Sequence, residues 1–175
     1  TWAFHVLTLA IGVAIVLSLL LADRAAEARF TRDLAGIDLV VGAKGSPLQL
    51  VLSAVFQMDT PTGNIPLAQA ERFSRMPLVK TAVPLSMGDS YRGARIVGTT
   101  AEYPKLYGAQ LAQGRLWSRP MEAVIGADLA RRQGLKVGQS FVGSHGFTPG
   151  GEQHEHSPYV VVGILRPTGA VVDRL

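Results

Sequence analysis

Apolar residues are distributed very unevenly along this chain. From Trp2 to Ala22 only His5, Thr8, Gly12 and Ser18 fall outside the apolar set, and no charge appears before Asp23. Such a run is about 31 Å long as a helix, against a bilayer core of ~30 Å. It reads as a membrane-spanning helix over residues 1–22. A secretory signal is the competing reading, with Ala26-Glu27-Ala28 as a formal cleavage site. That site lies beyond Asp23 and Arg24, and the apolar run exceeds the 7–15 residues or so of a signal core. A core helix apolar on every face would need more protein around it than this chain supplies.

After Ala22 the pattern shortens and alternates. Residues 23–35 carry good helix formers and no breaker before Gly36, so the helix is expected to continue as a stalk. Three basic and three acidic residues between Asp23 and Asp33 set no orientation across the membrane. Ile37 to Val41 reads as a buried strand between glycines. Ser46-Pro47-Leu48-Gln49 then starts a helix to about Phe56, with Pro at the first helical position. Leu67 to Met76 reads as a second helix stopped by Pro77, and Val79 to Leu85 and Tyr91 to Val97 as strands joined around Met87-Gly88-Asp89. A short helix from Ala101 to Tyr107, a strand from Ala123 to Ile125, a helix from Ala127 to Gln133 closed by Gly134, and strands Gln139 to Val142 and Tyr159 to Leu165 complete the series. The mixed order predicts an α+β fold, a mixed sheet with packed helices behind one N-terminal transmembrane helix.

Composition narrows the function. All 17 Lys and Arg and all 13 Asp and Glu lie after Ala22, a net charge of +4 without a basic face, which argues against nucleic acid as a partner. With no cysteine, thiolate catalysis, disulfides and cysteine-based zinc sites are excluded.

Candidate chemistry is sparse. Gly42-Ala43-Lys44-Gly45-Ser46 has the setting of a phosphate loop but lacks its spacing, and Pro47 removes a donor. Gly138-Gln139-Ser140-Phe141-Val142-Gly143 misses a nucleophile elbow by one residue and enters a strand rather than leaving one. Asp38, Asp59, Asp89, Glu102, Asp128 and Asp173 stand singly and read as solvated surface. Aliphatic-glycine pairs at Val41-Gly42, Val97-Gly98, Ile125-Gly126 and Val162-Gly163 read as strand ends entering turns. His5, one turn from the end of the apolar run, reads as interfacial.

The exception is a loop holding three of the four histidines: His145, Glu152, His154, Glu155 and His156. Imidazole and carboxylate suit zinc, and an extended His154-x-His156 would put both rings on one side, with Glu152 or His145 closing the site. Gly146, Gly150 and Gly151 favour the other reading, a solvated polar loop whose ordering costs about 1–2 kcal/mol per residue. Both readings stand.

The segments together resemble the extracytoplasmic domain of MacB/FtsX-type ABC transporter permeases. Asp38-Leu39-Val40-Val41-Gly42 follows the stalk. Gly98-Thr99-Thr100 with Tyr103, a turn at Leu111-Ala112-Gln113-Gly114-Arg115, and Ala123-Val124-Ile125-Gly126 come next. Gly134-Leu135-Lys136-Val137-Gly138-Gln139 and Val160-Val161-Val162-Gly163-Ile164-Leu165 close the order. The resemblance implies a core domain over residues 36–175 that continues past Leu175, on the periplasmic side of a bacterial inner membrane. It implies a non-enzymatic permease subunit, with ATP hydrolysed by a separate cytoplasmic ABC ATPase. A homodimer or paralogous permease and a periplasmic adaptor or substrate protein are the further partners it implies. A membrane-anchored sensor domain that binds a ligand or metal is the alternative.

If residues 1–22 anchor the chain, the full chain stays in the membrane pellet after carbonate treatment while residues 23–175 alone partition to the supernatant. Carbonate-extractable full-length chain would refute the anchor.

Overall fold

The structure is a computed structural model that describes residues 1–146 and 157–175. Helix α1 (Trp2–Leu34) joins the apolar run and the stalk in one 33-residue helix, about 50 Å long. Its apolar two-thirds is exposed all round, and among the described residues it is the one helix long and apolar enough to cross a membrane. It ends just before Gly36, which takes φ of +78°.

Residues 37–41 depart from expectation. They are extended but pair with no strand among the described residues, and Leu39 is 78% exposed. β-branched composition shows that a segment can be a strand, but a neighbouring backbone must satisfy its N–H and C=O groups before it becomes one. The following helix α2 (Pro47–Ala54) starts as its sequence dictates, with the Gln49 amide donating to the Ser46 hydroxyl at 3.4 Å. Helix α3 (Leu67–Ser74) buries no residue.

The first hairpin is shifted from the expected one. Val79 to Leu85 forms no strand, and Pro84 within it has no N–H to donate. Strands β1 (Ser86–Tyr91) and β2 (Ala94–Gly98) turn instead at Arg92-Gly93, with φ of 47° and 83°. Two successive positive φ values are what a two-residue hairpin turn with the right twist requires. Met87-Gly88-Asp89, read as the turn, is a bulge within β1.

Helix α4 (Glu102–Leu106) leads to β3 (Leu111–Gly114), a strand where the sequence suggested only a turn. Strand β4 (Glu122–Ile125) and helix α5 (Ala127–Gln133) follow, and Gly134 closes α5 in the left-handed conformation expected of it. Short strands β5 (Ser140–Phe141) and β6 (Ser144–His145) precede β7 (Tyr159–Leu165). The last element is a 3-10 turn, Val171–Arg174.

Strand β7 is central to the larger sheet. It pairs parallel with β4, and antiparallel with β5 near its start and β3 near its end. Flanked in this way, Val161 is fully buried. The smaller sheet runs β2-β1-β6. One core cluster gathers Ala94, Ile125, Leu129, Phe141 and Val161. A second gathers Tyr103, Leu165, Ala170, Val171 and Val172, so the 3-10 turn is packed as core.

Two of the aliphatic-glycine pairs also permit close packing: Gly126 stands between β4 and α5, as a strand end should, whereas Gly163 lies within β7. A Cβ on Gly126 would meet the Val172 carbonyl oxygen at 2.2 Å, and one on Gly163 would meet the Arg115 carbonyl oxygen at 2.4 Å. Gly126 also donates its N–H to the Leu175 carbonyl at 2.7 Å. The end of β4 and the last residues of the chain therefore touch backbone to backbone. Gly126→Ala is expected to lower the urea midpoint of the micelle-embedded chain by an amount equivalent to about 1–3 kcal/mol. Gly88→Ala, where nothing lies within 4 Å, should change it by less than about 0.5 kcal/mol.

Candidate functional site

Leu34 ends α1 where the chain must also hold its last turn, and the two are joined by one carboxylate. Asp33 is only 4% exposed. Its Oδ1 accepts the Val171 N–H at 2.5 Å and its Oδ2 accepts from Arg174 at 3.3 Å. Val171 opens the 3-10 turn, so its N–H has no partner within that turn; Asp33 caps it from 138 residues away. Burial raises the Asp33 pKa, and this outweighs the Val171 N–H and the nearby Arg174, Arg29 and Arg32 guanidiniums, which lower it.

Neighbouring contacts tighten the same joint. Arg32 Nε donates to the Gly169 carbonyl at 3.2 Å, and the Tyr107 hydroxyl donates to the Asp33 carbonyl at 3.4 Å. Phe30 meets Phe56 edge to face, with ring centroids 5.0 Å apart. Tyr103 and Tyr107 stand edge to face beneath the helix end, and burial drives both phenols upward, Tyr107 to about 12.

Asp173 corrects its reading as solvated surface, since it is 4% exposed. Its carboxylate accepts from the Thr168 N–H, the Thr168 hydroxyl and the Gly169 N–H at 2.7–3.0 Å. It thereby shapes the turn that presents Gly169 to Arg32 and Val171 to Asp33. Sequence reasoning missed both acids, although Asp33 left a signal. An aspartate in the last turn of a helix faces the negative end of the macrodipole, an unfavourable place unless a partner holds it. Asp173 accepts from residues four and five positions before it, a spacing that no local turn rule flags.

A second polar fixture holds the loop into β4. Arg115 grips Glu122 through both carboxylate oxygens, at 2.5 and 2.7 Å, and the Ser118 and Arg119 N–H groups donate to Oε2. The Arg115 hydrogen bonds, followed by the Ser118 N–H, pull the Glu122 carboxyl down to about 2.

Of the histidine loop, His145 lies in β6 opposite Asp89, its Nδ1 2.7 Å from Asp89 Oδ1. Asp89, read as a lone surface acid, is thus part of a pair. Glu152, His154, Glu155 and His156 lie outside the described residues. Among the described residues no three His, Asp or Glu side chains gather as a metal would require.

The family model described as MacB-like periplasmic core domain matches residues 2–173. No curated protein matches the chain. Among solved structures, the extracellular domain of the ABC-type transporter YknZ from Gram-positive bacteria is similar at 14% identity with a TM-score of 0.38. The alignment covers 59% of this chain and 58% of that one.

Glu122→Gln should destabilise the chain at neutral pH. A carboxyl whose pKa falls on folding contributes stability that is present above its unfolded value, near 4.5, and is lost as pH drops toward about 2. The difference between wild type and variant, followed by thermal unfolding, should therefore close across that window. A difference that stays constant through it would show that the clamp does not depend on the Glu122 charge.

Proposed function

Because the chain belongs to the family of MacB-like periplasmic core domains, we propose that it is the first membrane helix and extracytoplasmic domain of a bacterial ABC transporter permease. In this reading residues 23–175 lie on the periplasmic side of the inner membrane. A cytoplasmic ABC ATPase supplies the work, and the permease is not itself an enzyme. A second copy or a paralogous permease completes the membrane unit, and a periplasmic adaptor or substrate protein meets the domain.

The observation that carries the mechanical part of this reading is the joint at Asp33. A helix transmits displacement to a domain only if no hinge separates them. Here one unbroken helix enters from the apolar run, and its last turn is held by Phe30, Arg32 and Asp33 to Phe56, Gly169 and Val171. Movement of the membrane segment would reach the 3-10 turn and, through Gly126, strand β4. Transmission also needs two discrete states of the domain, between which the ATPase chooses.

The absence of cysteine provides a clean test. A fluorophore on Ser118→Cys, in membranes that also hold the ATPase, should respond to ATP and vanadate. Ala26→Pro, which breaks the stalk at a cost of about 3 kcal/mol, should abolish that response without lowering the amount of chain in the membrane. A wild-type signal indifferent to ATP would overturn the proposal.

One observation favours a second reading, a membrane-anchored ligand- or metal-binding sensor. The Asp89 carboxylate meets His145 as carboxylates meet histidines that bind metal, fixing the ring. In that reading zinc is bound by His145, Glu152, His154 and His156. Calorimetric titration of zinc should then show binding that the paired change His154→Ala and His156→Ala removes. Binding weaker than millimolar, or unaffected by that change, rules it out.

A further inference from the structure

Beside the Asp33 joint lies a recess of about 120 Å³, the space of several water molecules. Its charged lining is Arg29, Arg32, Asp33, Asp128, Asp173 and Arg174. Three of these are acids, so the formal charges cancel, but the acids are differently engaged. Asp173 is saturated by the Thr168 and Gly169 donors, and Asp128 pairs with Arg131 at 2.8 Å. Asp33 faces three guanidiniums, those of Arg174, Arg29 and Arg32. Among the described residues Arg29 makes no hydrogen bond or ion pair, and Arg32 uses only Nε, toward Gly169. The recess therefore has spare guanidinium donors, the groups best suited to grip a phosphate through paired N–H bonds.

The position of these arginines matters as much as their charge. Arg29 and Arg32 are three residues apart and so share one face of α1. They stand seven and ten residues beyond Ala22, about 10 and 15 Å along the helix. Helical side chains lean toward the N-terminus, which for α1 is toward the apolar run; the unbonded Arg29 stem can extend that lean, whereas Arg32 is held at the Gly169 carbonyl. The polar layer of a bilayer is about 5–7 Å deep on each side, so the Arg29 head falls within reach of it.

We propose that this recess binds a phosphate-bearing anion through Arg29 and Arg32, and that the anion is the headgroup of an anionic phospholipid in the leaflet from which α1 emerges. The site rests on the reading of residues 2–22 as membrane-spanning. A lipid bound there would brace the stalk against the 3-10 turn and tie the joint to the composition of the membrane.

Hydrogen exchange of residues 168–175 tests the site in the full chain, in nanodiscs of phosphatidylcholine with and without phosphatidylglycerol. Phosphatidylglycerol should slow exchange of this segment about threefold or more, as expected when a ligand binds only the closed joint. Arg29→Gln, which removes no bond of the fold, should lose at least half of the slowing, and Arg29→Gln with Arg32→Gln should lose all of it. Each variant is compared with itself in phosphatidylcholine alone. Arg24→Gln, an equal loss of charge outside the recess, should leave the slowing intact. No slowing, or slowing lost equally with Arg24→Gln, overturns the site. If millimolar inorganic phosphate protects the segment equally in phosphatidylcholine and phosphatidylglycerol adds nothing, the lipid assignment is overturned in favour of a free anion. Failure of the chain to insert into nanodiscs would overturn the spanning reading together with the site, whereas insertion without a lipid response defeats the site alone.

Discussion

A single buried carboxylate, Asp33, decides how the membrane-directed helix meets the folded part of the chain. It stands where the helix macrodipole disfavours it, and burial makes its charge costlier still. Those penalties are offset by the one arrangement that supplies both a backbone N–H and a guanidinium, namely the 3-10 turn of Val171–Arg174 seated on the helix end. Removing a partner while the turn stays seated would leave the charge buried and under-paired, at a cost of about 3–5 kcal/mol. The interaction thus acts less as added stability than as a choice of geometry.

The remainder of the structure follows from that seating. The 3-10 turn can reach Asp33 only because Asp173 folds the preceding turn back on itself, and it can lie against β4 only because residue 126 has no side chain. Gly163 performs the same service for the loop that Arg115 and Glu122 hold. Backbone-to-backbone approaches at two glycines and two buried aspartates therefore link the helix, the sheet and the last turn. The apolar clusters around Val161 and Val171 fill the space between them.

Local signals in the sequence were enough for the elements they govern. The apolar run, the Ser46-Pro47 helix start and the Gly134 helix end could be read directly, because each depends on neighbours in the chain; β7 was also read in full, its aliphatic composition being matched by strands on both sides. What could not be read depends on partners far away. Residues 37–41 have strand composition but no paired strand, and the hairpin turn went to Arg92-Gly93 because pairing and the bulge at Gly88 fix the register. Val171 and Val172 look like any aliphatic pair until Asp33 caps them. Family membership was legible in the order of weak motifs, whereas the joint was not, because its residues are separated by more than a hundred positions. His145 gained a partner, Asp89, that spacing alone could not supply.

The central claim is that the helix and the last turn behave as one body through the bond from the Val171 N–H to Asp33. Amide hydrogen exchange at Val171, measured by NMR in micelles, reads that bond directly. The account predicts that Val171 exchanges as slowly as the fully buried Val161 of β7, and that Asp33→Ala speeds Val171 selectively while leaving Val161 unchanged. Exchange of Val171 at the rate of an open loop in the unaltered chain, or equal loss of protection at Val161 in the variant, would contradict it.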